Sequence, residues 1–296
     1  MSIDLDAART FVAANARVLD RRRFAALIDP GAPGHRAIVD AVGAYRNDDG
    51  GYGWGLEPDL RTPESQPAGA LHALEAFAGA GPECSSQVGP LLDWLASVSF
   101  PSGALPFALP IADGSACAPF WVGADAGEPS LQITAAVAAQ AHYVARAVPE
   151  VRDHSWLVGA TRYCLDAVAA IDREPIAYVL SFALQLLDAV ADIEPSVPEL
   201  LAGLARFVSD DGRIPVAGGS VGEALHLLDY AWDPKGPVQA RFPDEVVQRD
   251  LDRLEGAQRA DGGWAVDFAS FSPAAAMEWR GHATVRAIST LRTNGR

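Results

Sequence analysis

The densest run of side chains able to move a proton or grip a polar substrate lies between Gly53 and Pro67. Trp54, Glu57, Asp59, Arg61 and Gln66 follow one another there within a few residues. Two carboxylates two positions apart beside an arginine can divide acid–base work. A carboxyl buried against apolar walls is raised in pKa and keeps its proton, while its neighbour stays ionised. Pro58, Pro63 and Pro67 stiffen the segment, as suits a loop that carries a site. The plain alternative is a solvated loop with Ser65 capping the following helix and Glu64 beside its N-terminal dipole.

A second cluster, Glu278-Trp279-Arg280-Gly281-His282 with Thr284, is expected at the start of the last helix. A guanidinium beside an indole suits an anionic or π-rich ligand, and a histidine carries protons near neutral pH. The alternative is a helix that buries Trp279 and pairs Arg280 with a carboxylate. His72 and His226 stand in related strings, Leu71-His72-Ala73-Leu74-Glu75 and Leu225-His226-Leu227-Leu228-Asp229, 154 residues apart. Glu75 and Asp229, three residues on, fall beside their histidines on a helix. Each histidine reads either as a substrate contact or as a hydrogen-bonded core residue. Glu57, Asp59 and His282 are therefore the candidate catalytic groups. Trp54, Arg61, Gln66, His72, Trp121, His226, Trp279 and Arg280 are the candidate substrate contacts. No His-Glu-x-x-His, Cys-x-x-Cys or Gly-x-Ser-x-Gly motif occurs, so neither metal nor cofactor is expected. Gly218-Gly219-Ser220 has no following lysine and reads as a helix entry rather than a phosphate loop.

What positions these groups is a repeat. Turns at Asp48–Gly53, Ser102–Phe107, Asp211–Val216 and Asp261–Val266 have reference glycines 51, 103, 212 and 263, spaced 52, 109 and 51 residues apart. The double gap predicts a degenerate turn near residues 150–175. Between the turns, half-wet and covered helices alternate. Asp244–Gln258 carries seven charges with Val247, Leu251 and Leu254 on one face, whereas Leu131–Ala147 has only Arg146 and Ile176–Ala191 only Asp188. Two helices per period of about 52 residues give a little under six units. The expected fold is all-α: an α/α toroid of about six helical hairpins in two concentric layers, one domain over residues 1–296. An open solenoid is the alternative. Breaks are expected across Asp29–Gly34, at Gly81-Pro82, along the Gly/Pro-rich excursion Pro101–Pro129 that holds Phe120-Trp121, and at Asp233–Pro237.

Composition narrows the function classes. With 23 Lys+Arg against 38 Asp+Glu, the net charge of −15 excludes a general nucleic-acid binder and disfavours anionic membranes. No run is long and apolar enough for a membrane span, and the acidic Met1–Asp6 lacks the pattern of a signal peptide. Three scattered cysteines, Cys84, Cys117 and Cys164, do not make a disulfide framework. A cytoplasmic protein is expected.

Gln258-Arg259-Ala260-Asp261-Gly262-Gly263-Trp264 resembles the Gln-and-Trp repeat motif of terpene cyclases and protein prenyltransferase β subunits. Arg46-Asn47-Asp48-Asp49-Gly50-Gly51-Tyr52 is similar to a weaker copy with Tyr in place of Trp. The resemblance implies a squalene–hopene cyclase-like toroid whose repeat motif ties an outer helix to the turn before the next inner helix. It also implies a central cavity for an isoprenoid or other apolar small molecule. The motifs that carry the family's chemistry are missing. There is no Asp-x-Asp-Asp acid, since Asn47-Asp48-Asp49 and Ser209-Asp210-Asp211 lack the first Asp. Asp48-Asp49-Gly50-Gly51-Tyr52 lacks the last Asp of a diphosphate-binding motif, and no Asp-x-Cys zinc pair exists. Three functions remain: metal-independent acid–base chemistry on an apolar ligand, a carbohydrate-active toroid using Glu57, Asp59 and Trp54, or a non-catalytic binding module. In a closed ring the Glu57–Arg61 loop and the Trp279–His282 segment are expected at one mouth.

Overall fold

The computed structural model describes residues 3–29 and 34–296. Residues 30–33 of the expected break, and Met1 and Ser2 of the acidic N-terminus, lie outside them. The described chain is all-α as expected, with 58% helix and 3% strand. In order, the helices are α1 (Leu5–Asn15), α2 (Val18–Ile28), α3 (Gly34–Gly43), α4 (Pro67–Ala80), α5 (Ser85–Val98), the single turn α6 (Pro119–Val122), α7 (Leu131–Ala145) and α8 (Ser155–Ala169). They continue as α9 (Ala177–Val190), α10 (Val197–Ala205), the short α11 (Leu227–Tyr230), α12 (Asp244–Gly256) and α13 (Pro273–Thr293). The chain divides into two compact units, Gly31–Asp172 and Met1–Pro30 with Arg173–Arg296. None of the described helices is long and apolar enough to cross a membrane.

The repeat is a single backbone turn made four times. In each copy the glycine N–H donates to the carbonyl three residues back: Gly50 to Asn47, Gly103 to Phe100, Gly212 to Ser209 and Gly262 to Arg259. The side chain just before the glycine accepts the N–H just after it. Asp49 takes Gly51, Ser102 takes Ala104, Asp211 takes Arg213 and Asp261 takes Gly263. The four glycines have φ of 92°, 87°, 76° and 90°, where any side chain pays a steric penalty. In the Gly-Gly copies it is therefore the first glycine, not the second, that carries the conformational demand. The degenerate joint is the segment 170–176 between α8 and α9, which has no such glycine.

Each turn lies against a helix of the pair it opens. A Cβ on Gly50 would meet the Pro90 carbonyl of α5 at 2.8 Å, and one on Gly103 would meet the Ala160 amide of α8 at 2.5 Å. The turn before α13 packs on α1, where a Cβ on Gly262 would meet the Ala7 carbonyl at 2.2 Å, and Gly263 faces the Phe11 ring. The last helical pair, α13 with α1, is thus assembled from the two ends of the chain. Gln258 fastens it: its side-chain carbonyl accepts Asp4 N–H at 2.8 Å, and its amide donates to the carbonyls of Asp4 and Gly262. The Trp264 indole ties the turn back to Leu254.

Burial follows the expected alternation. Twelve of fifteen residues of α7, ten of fourteen of α4 and eleven of fourteen of α9 are buried. In α5, α8 and α12 the counts are five of fourteen, six of fifteen and four of thirteen. Alanine supplies half of the buried residues of α4 and of α7, and the two helices pack together. Gly218-Gly219-Ser220 is not a helix entry. It lies in the loop of a hairpin whose strands are two residues each, β1 (Ile214–Pro215) with β2 (Ala224–Leu225).

Gly103→Ala should therefore cost far more than Gly81→Ala. Both glycines have positive φ, but nothing lies within 4 Å of a Cβ at Gly81. Chemical denaturation should show about 1–3 kcal/mol lost at Gly81, whose φ of 60° and ψ of −143° lie in a region essentially reserved for glycine. At Gly103 the backbone collision adds to a positive-φ penalty, for a loss of about 4 kcal/mol or more.

Candidate functional site

The Gly31–Asp172 unit buries a carboxylate–imidazole–carboxylate row. His72 sits in the second turn of α4, 6% exposed. Its Nε2 lies 2.7 Å from Glu57 Oε2, and its Nδ1 lies 2.8 Å from Glu75 Oε2. Glu75 is one helical turn along α4, and Glu57 reaches in from the loop before it. Burial is the largest single influence on the imidazole and would lower its pKa. The two carboxylates together outweigh it and push His72 up to about 9. At neutral pH the ring is therefore an imidazolium that donates from both nitrogens to the two carboxyl groups.

The loop holding Glu57 is not the solvated alternative. From Gly51 to Leu60 every residue except Trp54 is buried. Trp54 N–H donates to the Thr62 carbonyl at 2.7 Å and closes the loop, and Asp59 N–H donates to Glu57 Oε1 at 3.1 Å. Both Glu57 oxygens thus have partners. Asp59, 4% exposed, accepts Ala118 N–H on its backbone carbonyl, so the excursion is strapped to the loop. The Arg61 side chain lies over Gly55.

Asn47 fixes the loop from beneath. Its amide donates to the Pro63 carbonyl and to Ser65 Oγ, and its carbonyl accepts the Trp54 indole N–H at 2.7 Å. Ser65 does not cap α4. Its hydroxyl donates to Asp49, and Gln66 takes the cap position with Pro67 behind it. The Gln66 amide clasps Leu109 through both backbone groups, donating to its carbonyl and accepting its N–H. Trp54 is 60% exposed and, at φ 56°, is the non-glycine residue with positive φ among those described. Trp121 stacks on Phe107 with ring centres 4.5 Å apart.

The remaining candidates belong to the other unit, so the two halves of the expected composite site fall in different units. Trp279, Arg280 and His282 are not at a helix start. Ser272 caps α13, and the three lie about two to two and a half turns inside it. Arg280 is held by Asp261 at 2.8 Å, by the Trp264 carbonyl and by the Phe11 ring, 4.4 Å from its centroid. Trp279 meets Phe268 and His282 edge-on. His282, 6% exposed, has Arg23 3.4 Å from Nδ1.

His226 is not the counterpart of His72. It is the N-cap of α11, joined to Asp229 in a capping box and 3.8 Å from both Asp250 and Asp267. Like Gln66 before α4, it is the N-cap of the helix that follows its turn, and the shared Leu-His string misaligns the two repeats. The pairing of His72 with Glu75 follows from helical spacing. The contact with Glu57 does not, because nothing local in the sequence says where a loop fifteen residues upstream returns to the helix.

The raised His72 pKa makes stability depend on pH. The bound proton stabilises the fold in full below the ordinary value of 6.5, and that contribution is lost as pH climbs to about 9. Wild type should lose on the order of 3 kcal/mol across this window, while His72→Gln should be flat over the same range. Urea denaturation at a series of pH values measures both. No protein-family model matches the chain, and no curated protein matches it either.

Proposed function

We propose that this chain is an α/α-toroid protein of the cytoplasm that binds an isoprenoid or similar apolar molecule and performs acid–base chemistry on it through Glu57, His72 and Glu75. The observation that carries the reading is the buried row itself, with one imidazolium bonded to two carboxylates among alanine-rich helices. Burying three ionised groups costs several kcal/mol per ion before their mutual bonds offset it. A packing role alone is met more cheaply by apolar side chains. The ring is supported by the four equivalent turns and by a last helical pair built from both chain ends, which is what closing a circle of hairpins requires. The cytoplasm is supported by three free, buried thiols.

In this reading Glu75 is the base. It is the most accessible of the three, its side chain 21% exposed against 8% for His72 and 7% for Glu57. His72 donates to Glu75, keeps it ionised and fixes its direction. Glu57 holds His72 protonated from the far side. The carboxylates favour a substrate that develops positive charge as it reacts, as an allylic diphosphate does when its C–O bond breaks and the diphosphate leaves to solvent with the bonding pair. The carbon next to the cation then gives its proton to Glu75, and the C–H electron pair closes a new C=C bond. A second reading, a binding module without catalysis, is favoured by Gln66 and Arg280. Their polar atoms are engaged with Leu109 and with Asp261 and Trp264.

The test is turnover of isoprenoid alcohols, hydrocarbons and diphosphates in deuterated water, followed by mass spectrometry. Wild type should form product. Glu75→Gln should lower the rate about 100-fold or more while retaining ligand binding, and Glu57→Gln should lower it less. Binding without turnover, unchanged in both variants, would assign the protein to the second reading. No binding of any isoprenoid would remove both.

A further inference from the structure

We infer that the cleft between α10 and α12 is a binding site for an apolar small molecule bearing one amine. The cleft encloses about 490 Å³, within the range of small-ligand sites. Leu184 of α9 and Tyr230 of α11 form its floor, Leu201 and Ala205 of α10 one wall, and Phe242 and Val246 the other. The Tyr230 hydroxyl already donates to the Gly212 carbonyl at 2.7 Å, so the floor presents its ring and no free hydroxyl proton. α10 itself is unusual among the lightly buried helices. Val197–Ala205 contains a single charge, Glu199, where α12 has seven. The helix bordering the cleft is apolar where a wet helix would be charged.

The rim decides the sign of the ligand. Asp210, Glu245 and Arg241 line the opening and are exposed, and none of them forms an ion pair with another described residue. One guanidinium neutralises at most one of the two carboxylates, leaving a single negative charge. The chain's net charge of −15 adds a field of the same sign. An anionic amphiphile is repelled there, and an ammonium is attracted. The cleft shares no residue with the Glu57–His72–Glu75 row, so it stands or falls independently of the acid–base reading.

Calorimetric titration of the full chain with octylamine and with octanoate tests the assignment. Octylamine should bind saturably and octanoate should not. Asp210→Asn combined with Glu245→Gln should weaken octylamine about threefold, the size of an exposed charge contact. Leu201→Trp should abolish binding by filling the cleft. Ala205→Phe, at a less buried position, serves the same purpose if the tryptophan variant does not fold. Octanoate binding as tightly as octylamine, octylamine binding unchanged in the filled variants, or no saturable octylamine binding would each overturn the inference.

Discussion

A backbone turn that only glycine makes without strain sets the spacing of everything else in this protein. At Gly50, Gly103, Gly212 and Gly262 the chain leaves one helix, reverses through positive φ, and starts toward the next with its N–H groups already satisfied. The preceding aspartate or serine completes the turn from its side chain, in the way Asx turns do. The glycines have a second duty. With no Cβ, each lets the turn sit in contact with a neighbouring helix backbone or, for Gly212, with Leu227. The same atom that would strain the turn would also push its partner away, so the turn is both local and tertiary in origin.

This dual role explains which parts of the fold the sequence made legible. Glycine spacing and helical periodicity are short-range signals, and both the turns and the alternation of covered and half-wet helices follow from them. The pairing of α13 with α1 is not short-range. It joins Gln258 to Asp4 across 254 residues, and no periodicity within either segment announces it. Capping was misread for a related reason. Ser65 has the better intrinsic propensity as a cap, but Asp49 of the preceding turn claims its hydroxyl, and Gln66 takes the position by default. His226 was misaligned because a shared Leu-His string outweighed the register of the turns.

The site was partly legible for the same physical reason. Residue types flagged Glu57, and helical spacing joined His72 to Glu75. Their convergence depends on how Gly53–Pro67 folds, and that is decided by close backbone approaches. A Cβ on Gly53 would meet the Glu64 carbonyl at 2.3 Å, and one on Gly69 would meet the Tyr52 carbonyl at 2.1 Å. Gly69 lies inside α4, where glycine ordinarily costs about 1 kcal/mol relative to alanine. Here it lets the helix press against the turn that precedes it.

That pressure bears directly on the chemistry. A buried imidazolium between two carboxylates is stable only while both bonds keep good geometry, because a lost partner leaves an uncompensated charge in a poor solvent for it. Glu75 is held by the helix it shares with His72. Glu57 has no such help, and a free loop of this length would scatter its carboxylate over several ångströms. The loop is closed by Trp54 on Thr62, anchored by Asn47 at Pro63 and Ser65, and strapped through Asp59 to Ala118. Trp54 accepts a left-handed backbone at this point, a strained state for a bulky residue. That cost is local, whereas a charge row fixed in one geometry is the kind of preorganisation that the proposed acid–base work requires. The first repeat turn, its asparagine and its strained tryptophan are therefore parts of the site, although none of them touches His72.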